Sequence, residues 1–547
     1  HLRINGSIGL TKQINRDEAF TSAQSTRFDG ITNAAEKGSY VISNGSNMDI
    51  EGNVRLDYSN LFFDHLSFSM GIGSELTTTK TQEDGYTATG FVNDKLTYPS
   101  YAQQFQKNGK PSGYFDKGRT IGFFGNINIG WDNRYIADFS LRTDGSSRFG
   151  RDNQFAPFWS VGLAWNVNRE KFWTGTGSMK IRASVGSVGS SKFSADQALT
   201  RFVYNSDGEY NGIYGAELLQ YGNTALKWQN TLKYNLGLDM TVWKNIITLN
   251  FDAYLERTEN LLMDVDVAPS TGFTSYKENM GSLDNKGIEA RLRLNLLRGD
   301  DKGWNWNVTL SASHERDKIR KLSNAMKAMN AEAMKIENNT DSTSVFTMYE
   351  VGRSQKALML VKSLGIDPAT GNELYLKRDG STTFDYDPND RVEVGNTTPK
   401  IQGFINTNLS WNHIELYMAF NYEYGAKIYN STLAQKVEGA SPYQNADKRV
   451  LYDRWKKPGD IAMFRRIDDQ GPVYQSSRLV QKNNYIRMSS LSLTYDIPRE
   501  KLARTFIERC KFTFSMTDVF RISSIKQERG TSYPFAWTYS FGVNLTF

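Results

Sequence analysis

Cysteine is nearly missing from this 547-residue chain. Cys510 stands alone, which excludes a disulfide framework and any cysteine-built zinc or iron–sulfur centre. Histidine is scarce too. His1, His65, His314 and His413 are scattered, with no i,i+4 partner and no neighbouring Cys, and read as surface or lumen residues rather than metal ligands. Neither charge sign dominates: 65 Lys+Arg against 59 Asp+Glu leave +6, and no basic block stands out, so no nucleic-acid partner is expected. Long apolar runs are absent as well. No stretch approaches the ~18 consecutive apolar residues of a spanning helix. That excludes a helical membrane protein but not a membrane barrel, whose strands carry apolar residues only at every second position. No G-x-S-x-G, Walker A or G-x-G-x-x-G motif occurs. Gly186-Ser187-Val188-Gly189 ends a strand without Walker spacing, and Gln82-Glu83-Asp84-Gly85 lacks the alternating acids of a Ca²⁺ loop. The chain is expected not to be an enzyme and to hold no cofactor. His1-Leu2-Arg3-Ile4-Asn5 has no basic head, apolar middle or small-residue cleavage site, and enters directly on an alternating segment. It reads as beginning in the middle of a larger protein.

What the chain does have is a period of two. In Ile288-Glu289-Ala290-Arg291-Leu292-Arg293-Leu294-Asn295-Leu296 every other residue is apolar and the rest are polar. A strand turns successive side chains to opposite faces, so one face is greasy and the other wet. Leu232 to Val242, Ile247 to Leu255, Ile121 to Trp131, Trp159 to Val167 and Ile414 to Tyr422 repeat the pattern. A soluble sandwich and a transmembrane barrel both produce such strands. Length separates them: these run about 9–13 residues, the reach of a tilted strand across a bilayer, whereas soluble strands cluster near 5–6. Aromatics also gather at strand ends (Trp131 with Tyr135, Trp165, Trp243, Trp304, Trp306, Trp411), where an interfacial girdle places them. The fold class is therefore read as all-β, an antiparallel transmembrane barrel with about sixteen strands in this chain.

The connections alternate in length. Asp132, Lys244-Asn245, Arg298 to Gly303 and Asn412 mark tight turns, while 12–48, 78–117, 188–227, 317–398 and 425–483 read as long extracellular loops. Short periplasmic turns and long outer loops are the barrel arrangement. The whole of 1–547 is read as the C-terminal part of such a barrel. The chain ends on alternating Tyr539, Phe541, Val543, Leu545 and Phe547.

Several segments resemble the SusC/RagA family of TonB-dependent outer-membrane transporters of Bacteroidetes. These are Ser140-Leu141-Arg142-Thr143-Asp144-Gly145-Ser146-Ser147-Arg148-Phe149-Gly150 followed by Phe158-Trp159, then Leu226-Lys227-Trp228-Gln229, Asn279-Met280-Gly281-Ser282-Leu283-Asp284-Asn285-Lys286-Gly287, Gly395-Asn396-Thr397-Thr398-Pro399-Lys400, and Leu493-Thr494-Tyr495-Asp496-Ile497-Pro498. They keep order over residues 118–547; before 118 the likeness is only in strand pattern. The resemblance implies a barrel of about 22 strands around an N-terminal plug. The plug, the TonB-binding segment and about six strands are not in this chain. It also implies a SusD-like surface lipoprotein as lid, the TonB complex as energy source, and import of a glycan or peptide. An open sheet edge cannot face lipid. Leu2–Thr11 and Trp537–Phe547 are therefore expected to pair with a companion N-terminal chain or missing segment, and not with each other. Closure of these strands alone as a passive porin, and a structural or secretion-linked barrel subunit, are the alternatives. The expected location is the cell outer membrane, multi-pass, against membrane lipid.

Cargo contact is expected from the lumen face and the long loops, which carry most of the chain's freedom. Phe384, Tyr386, Tyr424, Tyr429 and Tyr443 set aromatic faces beside acids and amides, a combination suited to sugar rings and to peptides. Arg291 and Arg293 oppose Glu289 and Asp239, so the lumen selects neither sign. Asp144 to Arg148 reads either as a rim contact for a polar solute or as a turn in which Asp and Ser bond the backbone and Arg148 meets a neighbouring acid. Over 324–337, Ala, Met, Lys and Glu favour a short helix.

Overall fold

The computed structural model describes every residue except 107–108, 191–199, 221, 224, 267–274, 280, 300–302, 323–325, 328–329, 331–347, 441–445, 470 and 526–536. Sixteen strands run through it: β1 (Leu2–Thr21), β2 (Ser39–Phe62), β3 (Leu66–Thr89), β4 (Ser112–Trp131), β5 (Tyr135–Ser146), β6 (Phe155–Asn166), β7 (Gly177–Ser190), β8 (Gln229–Val242), β9 (Ile247–Glu259), β10 (Ser282–Arg298), β11 (Trp304–Lys321), β12 (Ile401–Trp411), β13 (Ile414–Tyr429), β14 (Val480–Asp496), β15 (Arg509–Ser523) and β16 (Thr538–Thr546). Together with a stub at Gln104–Phe105 they form one sheet. Each strand pairs antiparallel with the next in sequence, a single meander. Among the described residues β1 pairs only with β2, and β16 only with β15. The sheet is not closed, and Leu2–Thr11 does not meet Trp537–Phe547.

The tight turns are set by local chemistry. Asp132 and Asn133 (φ 53° and 52°), Lys244 and Asn245, and Asn412 all adopt the left-handed conformation. Asn and Asp tolerate it, and primed turns match the strand twist. These turns sit at one end of the sheet. Connections at the other end span 22–38, 90–111, 147–154, 191–228, 260–281, 322–400, 430–479 and 524–537.

The loop bounds differ from those read in the sequence. The expected loops 12–48 and 78–117 shrink to 22–38 and 90–111, because β1 to β4 continue well past the alternating belt. In Thr77-Thr78-Thr79-Lys80-Thr81 both faces are polar, so the hydrophobic signal stops while backbone pairing goes on. β2 and β3, at 24 residues each, measure about 80 Å of strand. Even tilted by about 45° they outrun a hydrocarbon layer of ~30 Å.

Register carries the apolar face across the sheet. Met240, Leu249, Leu292, Leu310, Ile405, Phe420 and Met488 follow one another from β8 to β14. Leu2, Tyr58, Met70, Ile127, Phe139, Val161 and Val185 do the same from β1 to β7. No second layer covers this face among the described residues: Leu141 is 63% exposed, and Leu163 and Leu236 are each 57% exposed. Leu238, Phe251 and Leu292 are only half-buried. The buried clusters lie at the long-loop end instead. An all-β sandwich would show the reverse, a packed sheet face and wet ends.

Two loops build a body of their own. Ala357–Ile366 pairs with Glu373–Leu376 and Arg391–Asn396, and Glu373–Leu376 pairs with Thr382–Thr383. Segment 430–479 packs on this small sheet through a core of Leu360, Tyr429, Leu433, Val437, Phe464 and Leu479. These loops, expected to be free, are thus largely ordered by burial of the run Leu358-Met359-Leu360-Val361. Of the helix expected over 324–337, only Met326, Lys327 and Asn330 fall among the described residues, and these three are helical.

The open apolar face generates a test. Leu236→Arg is expected to destabilise the assembled barrel in lipid vesicles by about 2–4 kcal/mol, the cost of a cation near the bilayer midplane. At a water-exposed surface site the same change would stay within about 0.5 kcal/mol. Denaturant titration in vesicles distinguishes the two.

Candidate functional site

The face opposite the apolar band is polar from strand to strand, and most of its named charges are neutralised by neighbours. Arg182 reaches Asp239 at 2.7 Å and Asp252 at 3.2 Å. Arg142 binds Asp144 at 2.6 Å and Glu75 at 3.1 Å. Arg55 binds Asp57 at 2.6 Å, and Arg487 pairs with Asp518. Strand alternation makes these pairs: residues two apart share a face, as in Arg142–Asp144 and Arg55–Asp57, and Arg182 reaches diagonally to Asp239 on the next strand. A cavity of about 660 Å³ opens on this wall, with Glu289, Arg291, Ser311, Gln402, Phe404 and Tyr485 among its lining. Arg291 lies over the Phe404 ring at 5.8 Å. A second hollow of about 840 Å³ near the rim brings Lys286, Arg316 and Lys427 beside Asp284, Glu315 and Glu393. Both hollows offer paired donors, acceptors and both charge signs, which suits a polar, uncharged or zwitterionic solute.

The segments that carry the family resemblance meet at the rim. Trp228 stacks on Phe149 at 4.2 Å and meets Phe158 edge-on at 5.5 Å, while its indole N–H donates to the Gln154 carbonyl at 3.1 Å. The Asn279 side chain accepts from the Lys227 N–H at 2.6 Å and donates to the Lys227 carbonyl at 2.7 Å. Asn396 caps the Thr398 N–H at 2.7 Å. In Asp144 to Arg148 the serines and Arg148 follow the turn reading, while the Asp144 carboxylate accepts from Arg142 rather than from the backbone. The Ser146 hydroxyl accepts from the Arg148 N–H, Ser147 accepts from the Arg119 N–H, and Arg148 lies 3.9 Å from Asp116. These residues join strands to loops.

The five aromatics singled out in the sequence fall in different places. Phe384 is exposed on the loop body at 49%. Tyr386 stacks flat on Tyr474 at 4.5 Å, meets Tyr375 edge-on, and donates its hydroxyl to the Gln475 carbonyl. Tyr429 is buried in the loop-body core. Tyr424 is 60% exposed and opposite Ile401, with the parity of the apolar face rather than the polar wall. Tyr443 lies outside the described residues. Tyr386 and Tyr429 come together around Glu373, and Phe384 and Tyr424 stay apart from them.

Sequence reasoning missed the ion network beneath those rings. The Arg478 guanidinium bridges Glu373 at 2.9 Å and Glu438 at 3.0 Å, all three nearly free of solvent. Glu438 also binds Arg465 at 2.8 Å, and the Ser476 hydroxyl donates to Glu373. Burial alone would raise the Glu373 carboxyl, but the charge of Arg478 and hydrogen bonds from Arg478 and Ser476 outweigh it and hold it below the ordinary carboxylate range. Burial and the neighbouring Glu373 push the Tyr375 phenol up. The partners stand 27 to 105 positions apart in sequence, so no local pattern reveals them.

A family model described as TonB dependent receptor-like, beta-barrel matches residues 3–331. The chain belongs to the TonB-dependent receptor β-barrel family. It is 26% identical over 513 residues to TonB-dependent receptor P3 of Formosa agariphila, covering 86% of this chain and 50% of that protein. It is 30% identical over 236 residues to TonB-dependent receptor SusC of Bacteroides thetaiotaomicron, covering 41% of this chain and 23% of SusC. Among solved structures it superposes on one titled as the RagAB peptide transporter, with a TM-score of 0.86 and 22% identity, over 100% of this chain and 60% of that one. The chain spans about half the length of curated relatives such as P3. The family match reaches back to residue 3, ahead of the stretch where sequence motifs were evident.

Three outcomes follow for this receptor barrel. A carboxyl lowered on folding stabilises above its unfolded pKa, and that contribution is lost as pH falls through the lowered value. Hydrogen-exchange protection of Ala357–Val361 is therefore expected to hold from neutral pH to about 4 and to fall only below it. Glu373→Gln should cost the loop body about 3 kcal/mol, the low end for a broken buried pair because Arg478 keeps Glu438. Trp228→Ala should cost about 3–5 kcal/mol, read as faster proteolysis within 191–228 while the sheet stays intact.

Proposed function

We propose that this receptor barrel is the outer-membrane wall of an active importer of oligosaccharides or peptides. In this reading the strands cross the membrane many times, with the tight turns in the periplasm and the long loops outside. A SusD-like surface lipoprotein covers the loop end. The TonB complex acts through a plug carried by residues other than these 547, in a companion N-terminal chain or a missing segment. Phe384 on the loop body, the cavity of the polar wall and the hollow near the rim are the surfaces offered to cargo. The RagAB structure is titled a peptide transporter, which favours peptides as the first cargo to try.

The observation that carries the proposal is the open sheet. β1 and β16 each pair on one side only among the described residues. A row of unsatisfied N–H and C=O groups cannot remain in hydrocarbon, where each costs several kcal/mol. Strands from elsewhere must complete the wall, and a wall of about 22 strands encloses a lumen that is plugged. A self-closed porin would need β1 hydrogen-bonded to β16.

Mass spectrometry of the complex purified from outer membranes is expected to report a plug-bearing segment, a surface lipoprotein and a bound oligomer. Uptake should stop when TonB is deleted. A steady conductance from this chain alone in a planar bilayer would replace the importer with a passive pore.

A further inference from the structure

The apolar face is not uniformly bulky. Along one register row, large and small side chains alternate: Ile129 on β4, Ala137 on β5, Leu163 on β6 and Ala183 on β7. The next row toward the turns is large throughout, with Trp131 opposite Tyr135 and Tyr135 opposite Trp165. The two alanines thus floor a groove of about 370 Å³ whose walls are Ile129, Leu163, Trp131 and Tyr135.

The aromatic wall is pinned. Glu170 accepts from the Tyr135 hydroxyl at 2.8 Å and from the Trp165 indole N–H at 2.9 Å. Arg134 lies over the Tyr135 ring at 5.7 Å and stands 3.7 Å from Glu170. Its Nε is buried and makes no hydrogen bond among the described residues. Arg169 and Lys171 flank Glu170 and are exposed. Arg134 and Glu170 therefore stand beside a wholly apolar groove, at the level where a membrane interface holds its aromatic residues.

We propose that this groove is a binding site for one phospholipid, with an acyl chain over Ala137 and Ala183 and the phosphate on Arg134. The proposal rests on the reading that hydrocarbon covers this face. An acyl chain fills the contacts that the alanines leave unmade. A lipid phosphate supplies a charge-assisted hydrogen bond to this partly buried guanidinium. A free phosphate would satisfy Arg134 but leave the groove empty.

The test uses the receptor purified with its native partners, reconstituted with phosphatidylethanolamine carrying a photoactivatable diazirine in one acyl chain. Crosslinks are expected to concentrate on the peptides holding Ile129 to Ala137 and Leu163 to Ala183. The double variant Ala137→Phe, Ala183→Phe, which fills the groove, should cut that labelling at least tenfold. Arg134→Gln should weaken retention of the phospholipid probe but not of a diacylglycerol probe with the same chain. Labelling spread evenly over the apolar face, or unchanged in the double variant, would overturn the site while leaving the membrane reading intact. A receptor that stays dispersed without detergent or lipid would overturn the membrane reading itself.

Discussion

A backbone amide inside hydrocarbon has nothing to bond except another backbone. That single constraint explains the most regular part of this molecule. Every strand from β2 to β15 pairs on both sides, without a crossover. The side-chain pattern follows from the same setting. With lipid outside and water inside, the apolar residues need no partner layer, so Leu141 and Leu236 are open where a sandwich would bury them. The sheet therefore has no core in the usual sense, and its stability comes from ladders and solvent matching.

The loop end obeys the opposite rule. There water is the solvent, and a body must bury its own apolar residues to stand. The small sheet around Leu360 does so, and it takes in a charged network as well. Removing Glu373, Arg478 and Glu438 from water is costly, and it is offset only because each carboxylate has a cation and further donors. The network fixes how segments 357–396 and 430–479 sit together. On the polar wall, charges are paired too, but along and between strands and beside open space, where they shape a polar surface.

The readable part of this fold was the part with a local period. Alternation in Ile288 to Leu296 needs only nine consecutive residues to show that one face is apolar, and the turn residues Asp132 and Asn412 mark where each hairpin reverses. The sixteen strands and the barrel class followed from that. Strand ends did not, because Thr77 to Thr81 continue the ladder without alternating. The loop body was hidden for another reason. Its strands are short, its core joins positions about 100 apart, and a run such as Leu358 to Val361 is buried on both sides, so neither period appears. The aromatics chosen for cargo illustrate the cost: composition alone cannot separate Tyr386, locked against Tyr474, from Phe384, which is open. The motifs that resembled a family were readable because Phe149, Trp228 and Asn279 hold strand ends to loops.

The unbroken meander has a bearing on how such a chain can change over time. Since each ladder depends only on the segments just before and after it, lengthening a rim connection leaves every hydrogen-bonded register untouched. The tight reversals on the far side, such as 132–134 and 412–413, have less latitude: one inserted residue there would change the turn that fixes the register of its hairpin. Change in length is thereby steered toward the rim connections, and the tight reversals are held to the turns that set their hairpins.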